Sequence, residues 1–470
     1  MSSYTCNTCG YAYDEETEGK TWQDLADSWL CPICESAKNL FDPDQSSSAG
    51  PPPTPPAATQ KTDQYIGEWE RSSDDVEIHM AAIHQMAKTG QSISEPMGAQ
   101  RRRLSWEDIL IKGAQLAKIP LNEDTPVNTK TVIGPKAKQP LVIETPAYVT
   151  HMSFGALSRE AKIALAKGSA KVQTMTCSGE GGILMEALES AHKYIFEYVP
   201  NQYSVTDENL KRVDAIEIKI GQSAKPGMGG HLPGEKVTQE IASIRGFQEG
   251  EAILSPAHFP DIRNREELKT KVIWLRESSE GKPIGIKFAA GHIEEDLAVA
   301  LYAKPDFITI DGRAGGTGSA PKFVKSSASI PTIFALCRAR QFLDEQGATD
   351  VSLLITGGLR VSSDFAKALA LGADAIAIGT AAMMAIGCQQ YRICNTGKCP
   401  VGITSHDPEL RARFDIEKSS DRLANFLRVS TEELKDFARS TGNNDVHQLS
   451  VEDLCTVNSE ISEYTPIQHV

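Results

Sequence analysis

The sequence predicts an α/β protein: a (β/α)8 TIM barrel with a small metal-binding unit ahead of it and a helical extension behind it. Three observations lead there. From Leu141 onward eight short apolar runs alternate with helix-length amphipathic stretches, the residues that follow most runs are rich in glycine, and the ten cysteines fall mainly into two groups. At 470 residues the chain exceeds the usual domain size of about 100–250 residues, so one large core plus a smaller unit is expected.

Residues 1–43 form the small unit. Cys6-x2-Cys9 and Cys31-x2-Cys34 can each clamp one side of a tetrahedral metal site, because two intervening residues let a tight turn aim both sulfurs inward. That spacing suits a zinc ribbon as well as a single iron. Residues 44–63 are rich in Pro, Ser and Ala with little to bury, and read as a semi-stiff linker. Residues 64–125 read as an extension packed on the barrel. Residues 76–87 have helical apolar spacing, residues 106–111 form a second packed segment, and Arg101, Arg102 and Arg103 suit a solvated face. No chemistry is expected there.

Residues 126–404 carry the barrel. The runs lie at 141–149, 172–177, 215–220, 252–255, 283–288, 307–312, 353–358 and 375–379, and continuous apolar runs of this length fit strands buried on both faces. Helical crossovers are expected at 158–171, 262–276, 294–303, 331–345 and 363–371. A doubly wound sheet is the competing arrangement. In a barrel the residues after each strand gather at one mouth, and here they include Ser153, Gly155 and Ala156, then Ser178 and Glu180, then Gln222 and Lys225. Later strands end in Asp311-Gly312 followed by Gly316 and Thr317, in Gly357-Gly358, and in Gly379-Thr380. Glycines let backbone amides approach a ligand, and barrels often bind phosphate after strands seven and eight, so a phosphate-bearing cofactor is expected.

Beyond the eighth run, Cys388, Cys394 and Cys399 follow C-x5-C-x4-C, with Pro400 after the last. Thiolates bind soft metals, and a Cys-Pro ending recurs in iron-sulfur loops. Cys177, Cys337 and Cys455 stand alone and read as small buried hydrophobes. Residues 405–470 form the C-terminal segment, with helices expected at 421–429 and 431–439. The net charge of −14 argues against nucleic acid and against anionic membranes, both of which favour basic patches. No apolar leader precedes Cys6, and the longest apolar run, 375–387, is shorter than the ~20 residues that span a bilayer. A soluble, cytoplasmic, oligomeric protein is expected.

Two resemblances follow from these motifs. Cys9-Gly10-Tyr11-Ala12-Tyr13-Asp14, Trp22, Trp29, Cys31-Pro32-x-Cys34, Lys38 and Phe41 resemble rubredoxin, with Glu35 where that family commonly has glycine. The resemblance implies a mononuclear iron on Cys6, Cys9, Cys31 and Cys34, with zinc as the alternative. The text from His151 to Ser158, Ser178 to Gly182, Lys219 to Gly234, Asp311 to Pro321, Thr356 to Arg360 and Cys388 to Gly402 resembles the FMN-binding synthase domain of glutamate synthase. That resemblance implies FMN at the barrel mouth and a 3Fe-4S cluster on Cys388, Cys394 and Cys399. It further implies reduction of 2-iminoglutarate, formed from 2-oxoglutarate and ammonia.

On this reading Lys225 and Lys219 meet the substrate carboxylates, Gln222 orients it and Glu180 manages protons. Ser153, Gly155, Ala156, Ser178, Lys287, Asp311, Gly312, Gly316, Thr317, Gly357, Gly358, Arg360, Gly379 and Thr380 surround the cofactor. The family's N-terminal glutaminase is not matched. Nitrogen is therefore expected from free ammonia, from a separate glutaminase subunit, or as an amine other than ammonia. No G-x-G-x-x-G opens a βαβ unit, so electrons are expected from the rubredoxin-like unit or a donor subunit rather than from a bound nicotinamide. Two alternatives keep the same cofactors: another amine or keto-acid reaction such as N-alkylglutamate synthesis, and an electron-transfer subunit.

Overall fold

The computed structural model describes residues 3–7, 11–33, 36–43, 74–99 and 104–470. They fall into two compact units, Met1–Ile78 and His79–Val470. The linker at 44–63, Arg101 to Arg103, Cys9 and Cys34 lie outside the described residues.

In the first unit a three-stranded antiparallel sheet places Ser3–Cys6 between Ala12–Asp14 and Phe41–Pro43. Tyr13 and Phe41 are buried with Cys6 and Cys31, and Tyr4, Tyr11, Trp22 and Trp29 pack against them. Tyr4 stacks on Trp22 with centroids 4.4 Å apart. Both buried cysteines also donate backbone hydrogen bonds. The Cys6 N–H donates to the Tyr11 carbonyl at 2.8 Å, and the Cys31 N–H donates to the Ser36 carbonyl at 2.9 Å.

The second unit is built on eight parallel strands: β1 Ala147–Val149, β2 Met175–Cys177, β3 Lys193–Tyr198, β4 Ala215–Lys219, β5 Ile284–Ala289, β6 Phe307–Asp311, β7 Ser352–Thr356 and β8 Ala375–Ile378. Each pairs with the next from β2 to β8, and β8 returns to β1 through Ile376 opposite Ala147. The seam between β1 and β2 is spanned by Thr174 Oγ1 donating to the Ala147 carbonyl at 2.9 Å and by Glu144 N–H to the Gln173 carbonyl at 3.1 Å. The expected barrel with eight strands is therefore present.

Two strand assignments change. β3 was not foreseen, and residues 252–255 are not in the barrel: Ile253–Leu254 pairs antiparallel with His231–Leu232 in a hairpin after β4. Run 141–149 is also two elements. Pro146 interrupts it, Leu141–Ile143 pairs antiparallel with Thr131–Ile133, and only Ala147–Val149 enters the barrel.

That hairpin closes the N-terminal end of the barrel. Ile133, Leu141 and Ile143 join Tyr148, Met175, Cys177, Ile195, Phe307 and Leu354 in one buried cluster. Gly285 makes room for Phe307, since a Cβ at Gly285 would lie 2.1 Å from its ring. The larger apolar layer lies between strands and outer helices. Those helices begin on ordinary caps: Ser158 accepts from Ala161 N–H ahead of Arg159–Ala170, and Asn264 from Glu267 N–H ahead of Arg265–Ser278. The two C-terminal helices expected at 421–429 and 431–439 are one helix, Ile416–Ser440, because no Gly or Pro interrupts it. Cys177 and Cys337 are buried as expected, and Cys455 is partly exposed.

Candidate active site

With one end plugged, the C-terminal end of the barrel is left for a ligand, and the charged residues inside the strands decide its chemistry. Glu197 in β3, Glu217 in β4, Lys287 in β5 and Asp311 at the end of β6 are all buried. Lys287 Nζ lies 2.7 Å from Glu197 Oε1, and His151 Nε2 lies 2.9 Å from Glu217 Oε2. Burial works against the Glu197 charge, yet His151, Lys287 and Lys219 outweigh it and hold the carboxyl well below the carboxylate range. Burial also works against the Lys287 ammonium, and Glu197, Glu217 and Asp311 raise it above the ordinary lysine value. Opposite charges sharing a low-dielectric space stabilise each other's ionised forms, and the barrel centre stays charged.

Above this layer opens a cleft enclosing about 1330 Å3, part of it open solvent. Asp311 fixes one wall. Its carboxylate accepts from Ser223 N–H at 2.9 Å and from Ser223 Oγ at 2.8 Å, which anchors the loop carrying Gln222 and Lys225 to the end of β6. Gln222 Nε2 donates to Thr317 Oγ1 at 3.1 Å and ties that loop to the glycine-rich one. Glu180, in the loop after β2, is ion-paired with Lys219 at the end of β4 and accepts from the Gly230 N–H at 3.2 Å. Burial opposes its charge, and Lys219 outweighs burial to keep the Glu180 carboxyl below its usual range. Lys225 is 4% exposed, and burial together with the Lys219 charge lowers its ammonium to about 8.

The remaining walls are loops that follow β1, β6, β7 and β8. Ser153, Ala156, Gly316, Thr317, Gly357, Gly358, Arg360, Gly379 and Thr380 line the cleft, as do Lys287 and Asp311 below them. Gly357 and Gly358 have φ of 118° and 91°, and a Cβ on Gly357 would stand 2.2 Å from the Gly312 carbonyl oxygen. Backbone alone can line the cleft there, which suits a phosphate-bearing ligand. Three expected cofactor residues lie outside the lining. Gly155, with φ of 112°, backs onto Arg245; Ser178 is fully buried, its Oγ accepting from Glu197 N–H at 2.8 Å; and Gly312 packs under Thr332.

The cysteine loop reaches the same cleft. Cys394 lines it, Cys399 is buried at 7% exposure, and Cys388 is half-buried and accepts from Gln390 N–H at 3.4 Å and Gln390 Nε2 at 3.2 Å. Burial pushes the Cys388 and Cys394 thiols up, and the other cysteines raise Cys394 further. Three cysteines on one loop are a soft donor set, which fits a soft metal or cluster. Lys236 Nζ donates to the carbonyls of Ala156 and Cys394, both at 3.2 Å, joining the β1 loop to the cysteine loop.

Sequence reasoning passed over several of these groups. Glu197 went unseen with its strand, although one charged residue inside an apolar run, as in KYIFEY and AIEIK, is the mark of a side chain turned into a barrel. Arg245, 8% exposed, lines the cleft with an Nη2 donating to the Phe154 carbonyl at 2.6 Å and its guanidinium over Tyr203. Its Nε has no hydrogen-bond partner among the described residues. Met97, from the extension where no chemistry was expected, also lines the cleft.

Comparison with known proteins agrees with this architecture. A family model described as a conserved region in glutamate synthase matches residues 76–444, and the rubredoxin model matches residues 3–41. The chain belongs to the glutamate synthase family. It is thereby an oxidoreductase of the class acting on CH–NH2 donors, with a rubredoxin region at its N-terminus. A glutamate synthase large subunit-like protein of Rhizobium meliloti is 36% identical over 87% of this chain and 94% of its own length. An archaeal glutamate synthase [NADPH] of Methanocaldococcus jannaschii is 38% identical over 78% of each chain. Among solved structures, a flavocytochrome b2 mutant with pyruvate bound covers 77% of this chain and 78% of its own, at 17% identity and a TM-score of 0.49. No helix among the described residues is long and apolar enough to cross a membrane.

Proposed function

We propose that this chain is an FMN and iron-sulfur enzyme that reductively aminates 2-oxoglutarate to glutamate. Its electrons come from the rubredoxin-like centre, and its ammonia from solution or a partner subunit. The observation that carries the reading is the set of charges in the cleft. Glu180, Lys219, Lys225 and Arg245 surround a space walled on the other side by glycine loops, with a three-cysteine loop touching the same space.

Gly357, Gly358, Gly379, Thr380 and Arg360, with Ser153 and Ala156, would hold FMN, and Cys388, Cys394 and Cys399 would hold the 3Fe-4S cluster. Bound FMN supplies the hydride. The protein's own share is orientation and charge. Lys219 is committed to Glu180, so Arg245 is the cation that meets a carboxylate of a dicarboxylic acid, and Lys225 is the basic group left to meet its 2-oxo end. Glu180, kept ionised, accepts a proton from the incoming ammonium and returns one to the nitrogen as it becomes an amine. The loops shield the reacting carbon from bulk water, which strengthens each of these interactions. In the first unit, Cys6 and Cys31 would hold iron together with Cys9 and Cys34.

Purified protein is expected to be coloured, to release FMN on denaturation and to contain iron by elemental analysis. Protein that carries neither flavin nor iron after expression with both supplied would overturn the reading.

A further inference from the structure

The lysines around the cleft are nearly all committed. Lys287 is paired with Glu197 and Lys219 with Glu180. Lys236 donates to two carbonyls, and Lys162 donates to those of Met152, Cys177 and Ser178 at 2.7–3.0 Å. Lys225 is different. It is equally buried and lines the cleft, yet among the described residues its Nζ makes no hydrogen bond or ion pair. Its backbone is held firmly: its N–H donates to the Gln222 carbonyl at 3.2 Å, its carbonyl accepts from Met228 N–H at 3.2 Å, and the loop is anchored on Asp311 through Ser223. A positioned, largely desolvated amine beside another ammonium is the arrangement that makes lysine a nucleophile toward carbonyls.

We propose that Lys225 forms a covalent imine with the 2-oxo acid and passes it to the incoming amine by exchange. The inference rests on the keto-acid reading given above. The unprotonated Lys225 nitrogen adds to the C2 carbonyl, forming a C–N bond, and the carbonyl oxygen leaves as water after taking two protons. Ammonia then adds to the protonated C=N, and the Lys225 amine departs with a proton. The sum is keto acid plus ammonia giving imine plus water, with no change of oxidation state, and reduction follows as a separate event. Glu180 and Lys219 are the adjacent proton acceptor and donor. The exchange lets ammonia attack a cationic C=N, which is more electrophilic than the free ketone. The lowering of the Lys225 ammonium to about 8 supports this role, because about a tenth is then unprotonated at pH 7, far more than for an ordinary lysine.

The test is reductive trapping on the full-length protein with its flavin oxidised and no amine present. The holoenzyme is incubated with 2-oxoglutarate and cyanoborohydride, and the sites of addition are mapped by peptide mass spectrometry. The expected result is an adduct at Lys225 approaching one per chain, at least tenfold above any exposed lysine. It should fall when ammonium is included and be absent in Lys225→Arg, which keeps the charge but cannot form the imine. An unmodified Lys225 in a protein whose reduced flavin is reoxidised by 2-oxoglutarate plus ammonium would overturn the covalent step and leave the proposed reaction standing. An unmodified Lys225 in a protein that responds to no keto acid and amine pair would overturn both.

Discussion

Lys225→Met isolates the cost of keeping an unpartnered cation in the cleft. Methionine has nearly the same reach without the charge, so the substitution removes the ion and keeps the packing. The Lys225 ammonium sits at about 8 in the folded protein against an ordinary 10.5. The unfolded chain therefore binds the proton more tightly than the folded one. Below about pH 8 both states hold the proton and folding carries the full cost; between about 8 and 10.5 the folded chain releases it while the unfolded chain keeps it, so stability rises with pH. The gap corresponds to about 3 kcal/mol at neutral pH. With an unfolding entropy of about 2.1 cal/mol/K per residue over the roughly 390 residues of the barrel unit, this becomes about 4 °C. Thermal unfolding of both proteins without keto acid, followed from pH 7 to 11, is the assay. The variant should melt a few degrees higher at pH 7, with the difference closing toward pH 10.5. A variant that melts lower at pH 7, or a difference that does not change with pH, would refute the reasoning.

Glu180→Gln should lower turnover roughly 100- to 10,000-fold while FMN remains bound, since it removes an acid–base group and leaves the glycine loops intact; steady-state rates and flavin content check this, and full activity would remove Glu180 from the mechanism. Glu197→Gln leaves Lys287 short of its nearest counter-ion in the barrel and should cost about 3–5 kcal/mol, whereas Glu197→Gln with Lys287→Met should recover most of that in denaturant titrations. The Glu197 carboxyl is depressed in the fold, so its stabilisation is fully present above the ordinary carboxylate value of 4.5 and should fade as pH drops below it, a loss absent from the double variant. Cys399→Ser should lower the iron content and remove the cluster's low-temperature EPR signal, with flavin retained.

Seven of the eight strands were readable as apolar runs because a parallel strand in a barrel is covered on both faces. The same rule hid β3: Lys193 and Glu197 break the apolar run, and Glu197 is charged because it faces the barrel interior, where Lys287 meets it. AILS at 252–255 satisfied the run criterion, but only Ile253 is buried while Leu254 is exposed on a surface hairpin. Cleft residues carried on glycine loops were legible because a cluster of glycines at strand ends has few other uses. Arg245 was not, because it lies on a short helix, Gln239–Arg245, whose spacing is that of any packed surface helix. Nor could the sequence say which of the lysines around the cleft was left unpaired. That depends on Glu180 choosing Lys219 and Glu197 choosing Lys287, which only the folded strands bring together.

The central claim is that this cleft joins a keto acid, an amine and a reduced flavin. Its most direct test is anaerobic reduction of the holoenzyme, then rapid mixing with 2-oxoglutarate alone and with 2-oxoglutarate plus ammonium, methylammonium or glutamine. The flavin spectrum and the amino acid formed are followed together. Reoxidation that needs both 2-oxoglutarate and ammonium, with one glutamate per flavin reoxidised, is the predicted result. A flavin that stays reduced with every pair, or is reoxidised without any amino acid product, would contradict it.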